Sequence, residues 1–268
     1  MIVIGELINT SREGLEEAVR ERDTEFIQDL AKKQADAGAS FVDVNCGTLI
    51  KEEEEALEWL VEKAQEVVDV PLSIDSPNPE AVKRGLEKHD DEAGQPLVNS
   101  ITDEEERYEK LLPLIQEYDA NVIALCMEDE GMPDDCDDRV RIATSLVDKL
   151  KKDGIEEDRI FFDPVIQPIG TDQEMGLHIL NAIEEIREKY PDIHITCGLS
   201  NISHGMPQRP LLNRAFAVLA MSRGLDSAII DPLDDHLMSL MTASETLLGN
   251  DEGCMNYLKK SRSDDLVV

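Results

Sequence analysis

Positive charge is scarce in this chain: 26 Lys and Arg stand against 59 Asp and Glu over 268 residues, a formal net charge of −33. Non-specific nucleic-acid binding depends on basic side chains neutralising phosphates, so a field of this sign excludes it. Cysteine is sparse too. Cys46, Cys126, Cys136, Cys197 and Cys254 are odd in number and widely spaced, with no CxxC pair. That pattern supports neither a disulfide framework nor a structural zinc site, and it reads as reduced, mostly buried thiols. No stretch approaches the roughly 18 apolar residues of a membrane span, and the opening MIVIGELIN has no basic start of a secretory signal. The expected location is the cytoplasm, away from membranes. Glycine fingerprints that cradle phosphates, GxGxxG and GxxxxGK[ST], are also missing.

What is present is a regular alternation. Short β-branched runs are predicted as strands at Ile2–Ile8, Phe41–Asn45, Leu72–Asp75, Leu97–Ile101, Val122–Met127, Ile160–Val165, Ile193–Leu199 and Ser227–Ile230. Their continuous apolar character suits strands covered on both faces. Between them lie helical patterns at Thr24–Ala37, Glu53–Val68, Glu104–Tyr118, Asp138–Lys152 and Gln173–Tyr190. Ala56, Leu57, Leu60, Val61, Ala64 and Val67 show the spacing of one buried helix face. Asn78-Pro79, and Thr102 followed by Glu105, read as helix starts, and Gly38, Gly154 and Gly224 read as stops. Eight βα units without a composition break or a glycine fingerprint predict a closed (β/α)8 TIM barrel, not an open sheet. One domain over residues 1–268 is expected, with residues 251–268 as a C-terminal tail.

In such a barrel, chemistry gathers where strands run into their following loops. Those positions hold Asn9, Asn45, Asp75, Asn99, Met127, Asp163, Ser200-Asn201 and Asp231, a ring of amides and carboxylates with almost no cation. A single Asn or Asp there is as well explained by a turn or a helix cap. The ring as a whole suits a flat, neutral, nitrogen-rich heterocycle. Asp75 and Asp163 can accept from ring N–H and exocyclic amino groups, while Asn99 and Asn201 both donate and accept.

Several segments carry a specific resemblance. GELIN at the start, DVNCG at Asp43–Gly47, SIDS at Ser73–Ser76, NS at Asn99, DP at Asp163 and GLSNISHGMPQRPLLNRAF at Gly198–Phe216 resemble the pterin-binding barrels. Among those, the chain is most similar to the methyltetrahydrofolate:corrinoid/iron–sulfur protein methyltransferases, from Met1 to about Leu248. The resemblance implies that Asp75, Asn99 and Asp163 hold a pterin ring. It also implies that Asn201 lies near the methyl-bearing nitrogen, with Gly198, Ser200, His204 and Arg209 along the same loop. Two positions depart from the family: Leu7 stands where many relatives carry Arg, and His204 where a Gln is familiar.

The activity implied by the resemblance is methyl transfer between 5-methyltetrahydrofolate and the cobalt of a corrinoid (cobalamin-type) group carried by a partner protein. Asn201 and Asp75 are the expected catalytic residues, no metal belongs to the chain itself, and a homodimer is implied. A dihydropteroate synthase shares barrel and pocket, but that family handles pyrophosphate with a Ser-Arg-Lys stretch and an Arg-x-His pair. Here those places hold Ser200-Asn201-Ile202 and Asp231-Pro232-Leu233. A non-enzymatic folate-binding protein is the third reading. The string Asp234-Asp235-His236-Leu237-Met238-Ser239 lacks the glycine of the DxHxxG corrinoid motif and reads as a helix start.

The acidic runs at Glu52 to Glu55, Asp103 to Glu106 and Asp134 to Asp138 read as solvated surface. A charge of −33 points to a salt-rich, halophilic cell interior that screens self-repulsion. Stability should therefore rise with salt, mostly before about 1 M, where the Debye length is down to about 3 Å. Equal melting temperatures in low and in molar potassium chloride would refute this.

Overall fold

The computed structural model describes all of residues 1–268. In chain order the elements are β1 (Ile2–Asn9), α1 (Leu15–Arg20), α2 (Thr24–Asp36), β2 (Phe41–Asn45), α3 (Glu53–Gln65), β3 (Leu72–Asp75), α4 (Pro79–Lys88), β4 (Leu97–Ile101) and α5 (Glu105–Glu117). There follow β5 (Asn121–Leu125), α6 (Cys136–Lys152), β6 (Ile160–Asp163), α7 (Met175–Lys189), β7 (His194–Ile195), α8 (Arg209–Met221), β8 (Ser227–Ile230), α9 (Asp235–Leu247) and α10 (Met255–Arg262). From β1 to β7 each strand pairs in parallel with the next, and β8 returns to β1. The seam between β7 and β8 is closed by a Gly198–Ile229 bridge, with the Ile229 N–H donating to the Cys197 carbonyl at 2.9 Å. This is the expected eight-stranded barrel, and no helix is long and apolar enough to cross a membrane.

Strand alternation divides the apolar residues into two sets. Val3, Val42, Val44, Leu72, Ile74, Val98, Val122, Phe162 and Ile195 join the helix faces in one large buried cluster. Ile4, Phe41, Leu97, Ile123 and Phe161, one residue out of phase on their strands, form a small separate cluster inside the barrel. The barrel is thus plugged by side chains and is not a pore.

Structure and expectation differ at several points: β5 and β6 stop at Leu125 and Asp163, short of the predicted Met127 and Val165. β7 is much shorter than Ile193–Leu199, because beyond Thr196 the chain leaves the β6 ladder, meets β8 at the Gly198–Ile229 bridge, and winds into a 3-10 turn over Leu199–Ser203. Thr102 does not cap α5: Glu104 occupies that position, and the Thr102 hydroxyl donates to the Glu104 carboxylate at 2.8 Å. Residues 251–268 contain a helix, α10, and end docked on α9, where the Val267 N–H donates to Ser239 Oγ at 2.8 Å. Other signals hold. Asn78 Oδ1 accepts from the Glu80 N–H with Pro79 in the first turn, and Asp234 caps α9. The acidic runs are more exposed than not, but Glu53 is buried and accepts from Ser76 Oγ at 2.5 Å, and half-buried Asp103 pairs with Lys149.

Gly85 lets α4 lie directly on β3, since a Cβ there would fall 2.9 Å from Ile74 Cγ2. Gly85→Ala, worth about 1 kcal/mol of helix propensity, should therefore destabilise, by about 1–3 kcal/mol of overpacking. Denaturant unfolding checks this. A more stable Gly85→Ala would contradict the packing described.

Candidate active site

Two residues beyond each plug residue, on the same inner face, the chain places the polar floor of a cavity. Ile4 is followed by Glu6, Phe41 by Asp43, Leu97 by Asn99, Phe161 by Asp163 and Ile229 by Asp231; only β5 continues apolar, from Ile123 to Leu125. Strand register then aligns neighbours, pairing Asn9 with Asn45, Asn45 with Asp75, and Asp75 with Asn99. The result is a cavity of about 340 Å³ at the C-terminal mouth, lined by Glu6, Asn9, Ser11, Arg12, Asp43, Asp75, Asn99, Asp163, Gly198, Ser200, Asn201 and Ile229.

Of the residues singled out from the sequence, Asp75, Asn99, Asp163, Gly198, Ser200 and Asn201 meet here. Gly198 is needed for the turn, since a Cβ would lie 2.9 Å from Asn201 Nδ2. Arg209 lines a neighbouring cavity of about 540 Å³, which shares Glu6, Arg12 and Ser200 and also takes in Asp231. Its guanidinium donates to the Ser200 carbonyl at 2.8 Å and to Ser203 Oγ at 3.1 Å. His204 is not brought in: it is exposed at the end of the 3-10 turn and lines neither cavity. Leu7 is buried away from both, its N–H donating to Gln34 Oε1 at 2.9 Å. Asn45 supports the floor from beside it, donating to Asp75 Oδ2 at 2.7 Å.

Strand ends alone do not reveal Glu6 and Asp43, which sit inside their strands. The two-residue step above Ile4 and Phe41 carries the signal. Asp43 is fully enclosed and accepts from Ser73 Oγ at 2.6 Å and Asn99 Nδ2 at 3.3 Å. Burial, and then the negative charge of Asp75, hold its pKa well above the usual carboxylate range. Burial pushes Asp75 up to about 6 against the lowering influence of the Asn45 amide and Arg107. Burial likewise pushes Asp163 up to about 6, against the N–H groups of Val165 and Gly198 and the charge of Arg139. Glu6 is raised by burial although Arg12 Nη2 lies 2.5 Å from its Oε1. Acids of this kind can bind a heterocycle's N–H edge when ionised and hold a proton near neutrality.

Such a floor costs stability. Asp75 binds its proton more tightly in the folded state (about 6) than in the unfolded chain (3.8). The stability this contributes is fully present below the unfolded pKa and is lost as pH rises through the folded one, at most roughly 3 kcal/mol. Asp75→Asn should therefore melt above the parent at about pH 8, with the gap closing by about pH 4. A lower melting point at pH 8 would contradict the burial cost.

Positions 5–231 match the family described as pterin binding enzyme. The chain is 40% identical over 265 residues to the methylcorrinoid:tetrahydrofolate methyltransferase of Eubacterium limosum, covering 98% of this chain and 96% of that one. It is 30% identical over 243 residues to the methionine synthase of Mycobacterium tuberculosis, covering 86% of this chain but only 20% of that longer protein. Two solved structures share the fold at low identity. Dihydropteroate synthase from Xanthomonas albilineans in complex with 7,8-dihydropteroate superposes with a TM-score of 0.67 at 18% identity, covering 94% and 93% of the two chains. That from Thermus thermophilus in complex with 6HMPPP superposes with a TM-score of 0.63 at 21% identity, covering 89% and 91%. The chain belongs to the pterin-binding enzyme family, alongside the methylcorrinoid:tetrahydrofolate methyltransferases.

Proposed function

We propose that this barrel is a methyltransferase that moves a methyl group between 5-methyltetrahydrofolate and the cobalt of a corrinoid on a partner protein. The observation that carries the reading is the 40% identity along nearly the whole length of a methylcorrinoid:tetrahydrofolate methyltransferase. The cavity agrees with it. Asp163 and Asp75 offer acceptors to the pterin's N–H and amino groups, and Asn99 offers a donor and an acceptor. Asn201, exposed on the 3-10 turn at the mouth, is the side chain set to meet the methyl-bearing nitrogen.

The chemistry needs a leaving group made better. The cobalt nucleophile forms a bond to the methyl carbon as the carbon–nitrogen bond breaks, and the released electron pair stays on nitrogen. A proton on that nitrogen neutralises it. Asn201 steadies the protonated nitrogen by a hydrogen bond, and Asp75, pushed up to about 6, holds the proton supply within the cavity while ionised Asp163 accepts from the pterin edge. General acid assistance is worth about 10²–10⁴-fold, and in-line positioning contributes further. Microscopic reversibility makes the same groups serve transfer in either direction. Dihydropteroate synthase chemistry is disfavoured, because the cations at the mouth are already engaged: Arg12 with Glu6, and Arg209 with Ser200 and Ser203.

The corrinoid protein would dock over the barrel mouth. The assembly proposed is a homodimer in a salt-rich cytoplasm, joined through the outer faces of α8 and α9. There Leu211, Leu219 and Leu240 are 69%, 53% and 41% exposed around an apolar groove of about 800 Å³. Sedimentation in molar salt should give twice the 29.9 kDa of one chain, and a monomer would refute the dimer.

Asp163→Ala should weaken 5-methyltetrahydrofolate binding by roughly 1.5–3 kcal/mol, about 10- to 150-fold, as read by calorimetry. Asn201→Ala should slow single-turnover transfer to reduced cobalamin by about 10²–10³-fold and change folate affinity far less, since its bond strengthens in the transition state. Parent-like transfer by both Asn201→Ala and Asn201→Asp would remove Asn201 from the mechanism.

A further inference from the structure

Arg139 on α6 is the largest fully buried side chain of the protein, and it makes no ion pair with a carboxylate. Burying a guanidinium without a counter-ion is costly, so its retention calls for something that only its fixed fork of donors can hold. What it holds is backbone. Nε donates to the Pro164 carbonyl at 2.9 Å, Nη1 to the Asp135 carbonyl at 2.8 Å and Nη2 to the Val165 carbonyl at 3.2 Å. Nη2 also reaches Gln167 Oε1 at 3.4 Å.

Pro164, Val165 and Gln167 belong to the loop that leaves β6 directly after Asp163. Val165 is bent to φ +59°, a conformation that β-branched residues avoid and that the surroundings must enforce. So bent, its N–H points back at Asp163 Oδ1, 2.8 Å away. Further along the same loop, the Ile169 N–H donates to the Ile202 carbonyl at 3.1 Å, next to Asn201 in the 3-10 turn. One buried side chain therefore stands behind two sides of the cavity.

We propose that Arg139 is a positioning residue of the active site: by clasping the Pro164 and Val165 carbonyls and the Gln167 side chain it aims the Asp163 carboxylate and backs the turn that carries Asn201. It touches neither cavity and works entirely through the loop. Its charge also bears on Asp163. The groups facing that carboxylate are Arg139 from α6, the thiols of Cys126 after β5 and Cys197 after β7, and, across the cavity, Glu6, Asp43 and Asp75. Burial keeps both thiols neutral, Arg12 also lines the cavity but is paired with Glu6, and Arg139 is the cation whose charge lowers the Asp163 pKa.

The inference rests on the folate reading of the cavity, and its test separates the two. Affinity for 5-methyltetrahydrofolate is measured between about pH 5 and 8 on the full chain, on Arg139→Met, Arg139→Lys and Asp163→Asn, with circular dichroism as the check of folding. In the parent, affinity should fall on acidification through about 6 as Asp163 takes up a proton. Arg139→Met should bind about tenfold more weakly at neutral pH. Its half-loss point should also move upward, because a cation that favours the ionised carboxyl is gone. Arg139→Lys keeps the charge but cannot span the carbonyls, so it should hold the parent's midpoint while losing affinity. A merely structural arginine would lower the melting temperature and leave both affinity and midpoint alone, and that result overturns the proposal. If Arg139→Met does not fold, Arg139→Lys decides: affinity within about twofold of the parent overturns it. Lost binding in Asp163→Asn beside parent-like Arg139 variants defeats the brace alone, whereas parent-like binding in Asp163→Asn defeats the pocket reading and the brace with it.

Discussion

Acidic side chains buried inside a closed barrel are the constraint on which the rest of this structure turns. Closing eight strands gives every residue on the inner face one of two fates: to join the apolar plug, or to stand above it in the mouth. In this chain the plug is one tier of Ile4, Phe41, Leu97, Ile123 and Phe161, and the tier above it is Glu6, Asp43, Asn99 and Asp163. With so little solvent, Asp75 and Asp163 are pushed to about 6 and Asp43 is raised well above its ordinary range. A cationic floor would relieve that cost, but it would also occupy the acceptors that a pterin edge needs.

Arg12, the one cation lining the cavity, is tied up by Glu6, and two further arginines stand behind the floor and spend their donors mainly on backbone. Arg107 donates to the carbonyls of Ser76, Pro77 and Ser100, tying the loop after β3 to the end of β4. Arg139 does the same for the loop after β6. Both temper the acids from a distance, Arg107 that of Asp75 and Arg139 that of Asp163, without filling the cavity. Preorganisation of this kind is what turns a ring of ordinary Asn and Asp side chains into a site with one geometry.

Much of this was legible in the sequence. Periodicity and β-branched runs located all eight strands, because strands covered on both faces leave an unbroken apolar signature, and four of them have the observed bounds. Strand-end reading found Asp75, Asn99, Asp163 and Asn201, since chemistry at a barrel mouth must sit there. It overlooked Glu6 and Asp43, which lie within strands and are betrayed only by their phase relative to Ile4 and Phe41. The short β7 could not be read, because the residues after Thr196 are as apolar as a strand and leave the ladder for tertiary reasons, a turn fixed by Asp163 and Asn201. Arg139 was invisible for a related reason: in sequence it is one more charge on an amphipathic helix, and only packing turns it inward.

Aspartate carboxyl ¹³C resonances, assigned through the Asp75→Asn and Asp163→Asn variants and followed against pH, test the central claim most directly. The account places both carboxyls near 6 in the ligand-free protein and predicts that saturating 5-methyltetrahydrofolate holds Asp163 ionised well below that point. Ordinary titration of both carboxyls near 3.8 in the ligand-free protein, unmoved by folate, would contradict it.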